Sequence, residues 1–347
     1  MMLQRYTVSQ RMWRMAGEAV QTSRWYLAAL ALLLLGTYVL LRAGAAPPTR
    51  SGETVTVRIP ANAGQHEVAT ILRTHDLIRS RTAFEVLARV GCEGRPFVAG
   101  IYRIRKNASL FDVVDQLIQG KVATSRVTIP EGFTISQIAK RLEAGGVTQG
   151  AAFAEKAAEG ASEFGMETPN GSLEGYLFPD TYFFDLEVEP DTAIRQMLEA
   201  LKVRVVDPYA DTMKRRGQTL HEVLTIASLV EREARTAEDR PLVASVIMNR
   251  LAARMPLQID ATVQYAAGRH KNRLLFRDLE VDSPYNTYKH RGLPPGPIAS
   301  PGLASIKAAL NPASTDYLYY VATKDGGHLF ASTFEAHKAN IRKARGQ

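Results

Sequence analysis

The chain has 347 residues, is 46% hydrophobic, carries a formal net charge of +8 and contains one cysteine. That length suits two domains or more, and a lone Cys92 without a neighbouring His excludes an internal disulfide and a zinc knuckle. Part of the positive excess is N-terminal, Arg5, Arg11, Arg14 and Arg24 against Glu18, and no dense Lys/Arg run interleaved with aromatics follows, so nucleic-acid binding has little support.

Residues 25–41 (WYLAALALLLLGTYVLL) form an uncharged apolar run between Arg24 and Arg42. As a helix it reaches about 25 Å, slightly short of a bilayer core of roughly 30 Å. The flanking arginines can snorkel, and Trp25 and Tyr26 suit the interface. A single-pass helix over 25–42 is expected, with 1–24 cytoplasmic by the positive-inside rule and the remainder exported. The small residues Ala43-Gly44-Ala45 offer the competing reading of a cleaved signal peptide.

Residues 43–53 are rich in Pro, Gly and Ser and read as a tether. A strand-turn-helix unit then occurs three times. Val55, Val57 and Ile59 alternate as a strand, PANAG turns, and 65–74 has a helical pattern. A strand over 101–104 and a helix over 110–118 follow, then a strand over 127–129 and a helix over 135–142. A further helix is expected over 82–90. Ser109 to Asp112 and Thr134 to Gln137 both have capping-box spacing. The recurrence is uneven, 45 and then 25 residues between Ile59, Ile104 and Ile129, which argues against a solenoid. A short strand, a Gly- or Asn-bearing turn and an amphipathic helix resemble LysM, a small glycan-binding module, and a LysM-like domain is expected over 54–125.

Beyond Gly150 the composition changes. Residues 171–184 (GSLEGYLFPDTYFF) set Glu174 and Asp180 among aromatics. Helices are expected over 191–206, 219–234 and 240–251. Residues 258–334 show little periodicity and much Gly and Pro, so they are expected to form binding loops around a cleft.

The expected helix over 219–234 carries the main chemical signal. Ile226, Leu229 and Glu233 fall at i, i+3 and i+7 and share one face, whereas Glu231 points elsewhere. A carboxyl on an apolar stripe has its pKa raised by burial, which is how a general acid is made for work near neutral pH. On spacing alone, the plainer reading, a Glu at the solvent edge of a core helix, is the favoured one. No metal or cofactor is called for. The seven histidines (His66, His75, His221, His270, His290, His328, His337) include no i, i+4 pair and no HExxH. No G-x-S-x-G elbow, phosphate loop or dinucleotide fingerprint occurs. What remains is carboxylates, amides and tyrosines in Gly/Pro-rich loops, the vocabulary of sugar recognition. Gln258, Asp260, Tyr285, Asn286 and Tyr288 fit those roles.

Six segments, LEGYLFPDTY (173–182), IASLVEREA (226–234), VASVIMNRL (243–251), MPLQIDATVQYA (255–266), SPYNTYKHRGLPPGPIASPG (283–302) and KDGGHLFASTFEAH (324–337), resemble the endolytic murein transglycosylase family (MltG/YceG-like) in content and order. The resemblance implies an α+β fold, with a YceG-like catalytic domain over 126–347 after the LysM-like part. It implies that the second Glu of the SLVERE run, Glu233, is the catalytic acid. Glu174, Gln258, Asp260, Asn286 and Tyr288 are then expected to bind substrate. The implied reaction is non-hydrolytic cleavage between N-acetylmuramic acid and N-acetylglucosamine within glycan strands, leaving 1,6-anhydro ends. The implied setting is the inner (plasma) membrane, with the catalytic domain periplasmic, acting on peptidoglycan beside the synthases and ending nascent strands. Two alternatives stay open. A hydrolytic muramidase needs a second carboxylate, for which Glu174, Asp180 and Asp260 are candidates. A non-catalytic wall-binding scaffold needs none.

Overall fold

The computed structural model describes residues 27–28, 30–32, 35–36, 38–39, 42–91, 96–268 and 274–346. The expected cytoplasmic segment, much of the expected membrane helix, Cys92 and His270 lie outside them. Among the described residues no helix is long and apolar enough to cross a membrane. The chain resolves into two compact units, 1–123 and 124–347, and its mixture of helices and small antiparallel sheets is α+β.

The first unit runs β1 (Thr54–Ile59), α1 (Gln65–Thr74), α2 (Arg81–Gly91), β2 (Gly100–Arg105) and α3 (Leu110–Ile118). β1 alternates, and its inward residues Val57 and Ile59 are buried. β1 pairs antiparallel with β2, placing Val57 opposite Tyr102. The helices close over this ribbon around Leu72, Phe84, Val113 and Leu117. Ser109 caps α3 in a reciprocal box with Asp112.

The second unit opens on the same order: β3 (Thr124–Thr128), α4 (Ile135–Ala144), α5 (Gly150–Glu159), β4 (Thr181–Asp185) and α6 (Pro190–Leu201). β3 pairs antiparallel with β4, placing Val127 opposite Tyr182. The first strand thus recurs 70 residues on, Val57 to Val127, and its partner 80 residues on, Tyr102 to Tyr182. Details follow the same offsets. The turns after Ile59-Pro60 and Ile129-Pro130 each place a left-handed residue at the same step, Asn62 (φ 61°) and Gly132 (φ 76°). Leu77 N–H closes α1 on Leu72 O at 2.9 Å, as Val147 N–H closes α4 on Leu142 O at 3.0 Å. Tyr102 donates its hydroxyl to Val98 O at 2.7 Å, and Tyr182 donates to Phe178 O at 2.5 Å.

The repeating element is therefore a five-part βααβα module present twice, which corrects the expected threefold strand-turn-helix unit. The third expected copy pairs with β4 because its inward Val127 faces Tyr182, and the second expected copy is the back half of the first module. The additional ten residues of the second module fall between α5 and β4, in the segment that carries Glu174.

The rest of the second unit is a helical core. The expected helix over 191–206 comprises α6 and a π turn (Lys202–Val206), which leads into α7 (Asp207–Arg216). α8 (Leu220–Glu233) starts at a Thr219–Glu222 capping box and is buried continuously from Val223 to Val230. α9 (Asp239–Ala252), α10 (Asp260–Ala266) and α11 (Leu303–Leu310) pack on α8. A hairpin, β5 (Tyr319–Ala322) with β6 (His328–Ala331), and α12 (Phe334–Arg345) complete it. Residues 258–334 are thus more structured than expected. Their helices are only seven and eight residues long and their strands four, and such short elements carry too few repeats for periodicity to register.

Candidate active site

Glu233 is the last residue of α8, and the chain leaves the helix at Ala234 with an extended backbone (ψ 124°). Its carboxyl is held between the first turn of α10 and the β5–β6 hairpin. Tyr320 Oη donates to Oε2 at 3.1 Å, and the Ala261 backbone N–H donates to the same group. Burial pushes the Glu233 pKa up. The Asp260 carboxylate adds to the rise, while the bonds from Tyr320 and Ala261 and the charge of His328 oppose it. The C-terminal end of a helix also disfavours an anion.

The neighbours form a polar shell. Tyr288 Oη donates to Asp260 Oδ1 at 2.6 Å. Arg250 is tied by its guanidinium to the carbonyls of Leu318 (2.6 Å), Leu257 (2.8 Å) and Pro256 (3.3 Å), and lies 5.4 Å over the Tyr319 ring. His328 Nδ1 bonds Asp239 Oδ2 at 2.9 Å, with the two side chains 5% and 10% exposed. Its ring meets that of Tyr320 edge-on at 5.3 Å. Tyr320, Arg250, His328 and Asp239 were not singled out as site residues from the sequence. The one available signal for Tyr320 was the apolar run Leu318–Ala322, too short to rank above its loop-like surroundings.

Of the residues expected to bind substrate, Asp260 and Tyr288 sit beside Glu233. Gln258 is exposed, and its left-handed backbone (φ 52°) is fixed by a bond from its N–H to Thr287 O. For a non-glycine residue this conformation is uncommon and marks a constrained turn. Asn286 lies deeper. It is 0% exposed, its amide donates to Leu279 O and Val281 O at 2.8 Å each, and its carbonyl accepts from Tyr288 N–H. Its polar atoms are bonded within its own loop, which it helps to shape.

Glu174 is 5% exposed and caps α4, accepting Ile135 N–H at 3.1 Å, with Tyr265 Oη at 3.5 Å. Burial pushes its pKa up to about 8. Its cradle is tight, because a Cβ on the following Gly175 (φ 81°) would run into Pro297. Asp180 is engaged elsewhere, with Thr181 N–H and Arg204. Glu174, Lys140 and Arg232 line a cavity of about 340 Å³, to which α10 contributes Ala261, Gln264 and Tyr265. Glu233 does not line it, but Arg232 precedes Glu233 in the chain and Ala261 N–H bonds Glu233. Among the described residues no group of His, Cys, Asp and Glu has metal-site geometry.

The model of the YceG-like family matches residues 57–343. The chain belongs to that family. It is 38% identical to an endolytic murein transglycosylase of Bacillus subtilis (strain 168), over 83% of this chain and 84% of the relative. It is 34% identical to one from Streptococcus pneumoniae serotype 2 (strain D39 / NCTC 7466), of which it covers 58%. Among solved structures, a yceG-like protein of Listeria monocytogenes aligns with a TM-score of 0.58 at 37% identity, over 83% of this chain and 99% of that one. The α8 carboxyl and its polar shell thus lie in a YceG-like fold.

Proposed function

We propose that the protein is a peptidoglycan lytic transglycosylase whose proton donor is Glu233. One observation carries the reading. A carboxyl with a raised pKa ends a buried helix, flanked by Tyr320, the α10 N-terminus and the Asp260–Tyr288 pair. The names of its relatives supply the reaction class.

In this reading the protonated Glu233 gives its proton to the glycosidic oxygen between N-acetylmuramic acid and N-acetylglucosamine as that bond breaks. The oxocarbenium-like centre is then attacked by the C6 hydroxyl of the same muramic residue. Glu233, now a carboxylate, takes the hydroxyl proton, the 1,6-anhydro ring closes, and no water is consumed. An intramolecular nucleophile has a high effective molarity, worth up to roughly 7–11 kcal/mol in favourable geometry, so a second catalytic carboxylate is dispensable. Tyr320 stabilises the anion that forms after the first step. Tyr288 holds Asp260 at the edge of the cluster, where its charge keeps the proton on Glu233.

The apolar run at 25–41 and the arginines before it support a single-pass anchor with the catalytic unit outside the inner membrane. An anchored enzyme of this kind cuts nascent strands near the synthases and terminates their growth. The first βααβα module, with its LysM-like pattern, is assigned to holding glycan.

The Asp260 carboxylate beside Glu233 favours one second reading, hydrolysis with Asp260 as the partner acid. Mass spectrometry of digested peptidoglycan separates the two. Transglycosylation gives anhydro-ended fragments, hydrolysis gives fragments heavier by one water, and Glu233→Gln gives neither. Anhydro-ended release by Glu233→Gln refutes the assignment.

A further inference from the structure

The cavity beside α10 holds chemistry that the cleavage step does not use. Lys140 and Arg232 both line it. Among the described residues neither has a carboxylate within 4.0 Å. Arg232 makes one bond to protein, Nη1 to Gly132 O at 3.3 Å. The one acid in the lining is Glu174, whose pKa of about 8 leaves it uncharged at neutral pH, so it does not balance the two cations. Hydroxyl and amide groups of Thr134 and Gln137 and the Tyr265 ring complete a wall that is part polar and part apolar.

We propose that this cavity is a subsite for a carboxylate of the peptide arm that the sugar strand carries, with Lys140 and Arg232 as its counter-charges. The proposal rests on the glycan-cleaving reading above and adds a specificity to it.

A sugar is neutral and gives no reason to collect two cations. The polymer's peptide arms end in carboxylates, for which an ammonium and a guanidinium are matched donors. The apolar part of the wall suits short aliphatic side chains. The cavity also has the right place, since Arg232 and Ala261 link it to the Glu233 carboxyl and an arm can be held while its own sugar is cut.

The two modules supply a subtractive argument. Along α1 and α4, which have the same length and caps at matching positions, Lys140 corresponds to Thr70 and Gln137 to Glu67. Thr70 turns its hydroxyl back onto His66 O at 2.9 Å. The helix forms without the lysine, and the first module carries an acid where the second has an amide. The cationic lining is therefore not a requirement of the module's fold.

The test compares uncross-linked glycan strands bearing peptides with the same strands stripped by an amidase. In Lys140→Met the ratio of kcat/KM for peptide-bearing over stripped strands falls about tenfold, the scale of one charge-assisted hydrogen bond. Lys140→Arg restores most of it. A ratio unchanged in Lys140→Met overturns the proposal. So does a loss confined to stripped strands, which would assign the cations to the lactyl carboxylate that stripping exposes. Binding is read separately in Glu233→Gln, where adding Lys140→Met weakens retention of peptide-bearing strands about tenfold. Equal retention overturns the subsite. Wild-type protein that cuts neither strand refutes the glycan-cleaving reading, while the binding measurement still decides the subsite.

Discussion

The two βααβα modules share strand register, turn conformation and a tyrosine bonded to the carbonyl four residues back, yet their surroundings differ. In the first, the turn at Asn62 stands exposed. In the second, the matching turn is covered: Gly132 N–H donates to Ser300 O at 2.8 Å, and Ser300 N–H donates to Phe133 O at 2.8 Å. Its segment before the second strand is longer and delivers Glu174 to the end of α4. The second module is followed in the chain by α7 to α12 and the β5–β6 hairpin, which have no counterpart among the described residues of the first unit. The difference between the copies is thus one of surroundings: only the second is enlarged and docked against a helical core, and the proposed proton donor lies there. Glu233 is on that core and not on the module.

The largest effect that separates the regions is Glu233→Gln. Catalysis should fall by about 10,000-fold, the upper end for one acid–base group, because the same carboxyl acts in both halves of the reaction. Stability should change little, and the far-UV spectrum and thermal midpoint check this. Next is Gly175→Ala, in the lengthened segment. A Cβ there meets Pro297 and, at 3.1 Å, Ala299 O, with φ at 81°. A destabilisation of about 2–4 kcal/mol is expected from overpacking and backbone strain together. Gly64→Ala, at the α1 cap of the other module, has nothing within 4 Å and an ordinary φ. Its expected effect is about 1 kcal/mol or less, the loss of a preferred N-cap residue alone, since nothing stands in the way of the Cβ. Denaturant midpoints of the two variants decide the point.

The sequence made much of this legible. α1 and α3 fall within the bounds read from periodicity, and both expected capping boxes form, at Ser109 and Thr134. Local signals of that kind need only neighbours in the chain. The half-buried setting of Glu233 was partly readable, because Ile226 and Leu229 mark its face. Tyr320 and His328 were not, since they come to Glu233 on a hairpin, with Tyr320 87 residues further along the chain. The burial of Asn286 was not legible either, because an amide in a Tyr-rich loop looks the same whether it faces a sugar or its own backbone. The module repeat was half visible. The Ile-Pro turns gave the first and third strands, but the paired strand of the second copy lay behind an aromatic segment and ten additional residues.

A smaller effect concerns how Glu233 is tuned. In the proposed mechanism the donor is the protonated acid, so activity is present below its pKa in the folded enzyme and is lost as pH rises through that value. Tyr320 lowers this pKa by bonding the anion. Tyr320→Phe should therefore move the alkaline limb of the kcat profile to higher pH, by about one unit for a single hydrogen bond to a charged group, because one unit corresponds to about 1.4 kcal/mol. A limb that stays in place, or moves to lower pH, means that the limb does not report Glu233.

The smallest effect tests whether the two modules are energetically alike. Tyr102 and Tyr182 each bury a ring and spend the hydroxyl on a carbonyl four residues back. Removing only the oxygen leaves an acceptor unpaired without opening a large cavity, so each Tyr→Phe should cost about 1 kcal/mol. If the modules are equivalent scaffolds, the two costs agree within about 0.5 kcal/mol, the range over which independent sites add. Amide hydrogen exchange reads each module by itself: Tyr102→Phe speeds exchange along β1–β2, and Tyr182→Phe along β3–β4. A much larger loss at Tyr182 would mean that the second copy's ribbon carries strain from the core it is docked on. Equal losses would leave the lengthened segment and the helical core as the places where this chain spends stability on its site.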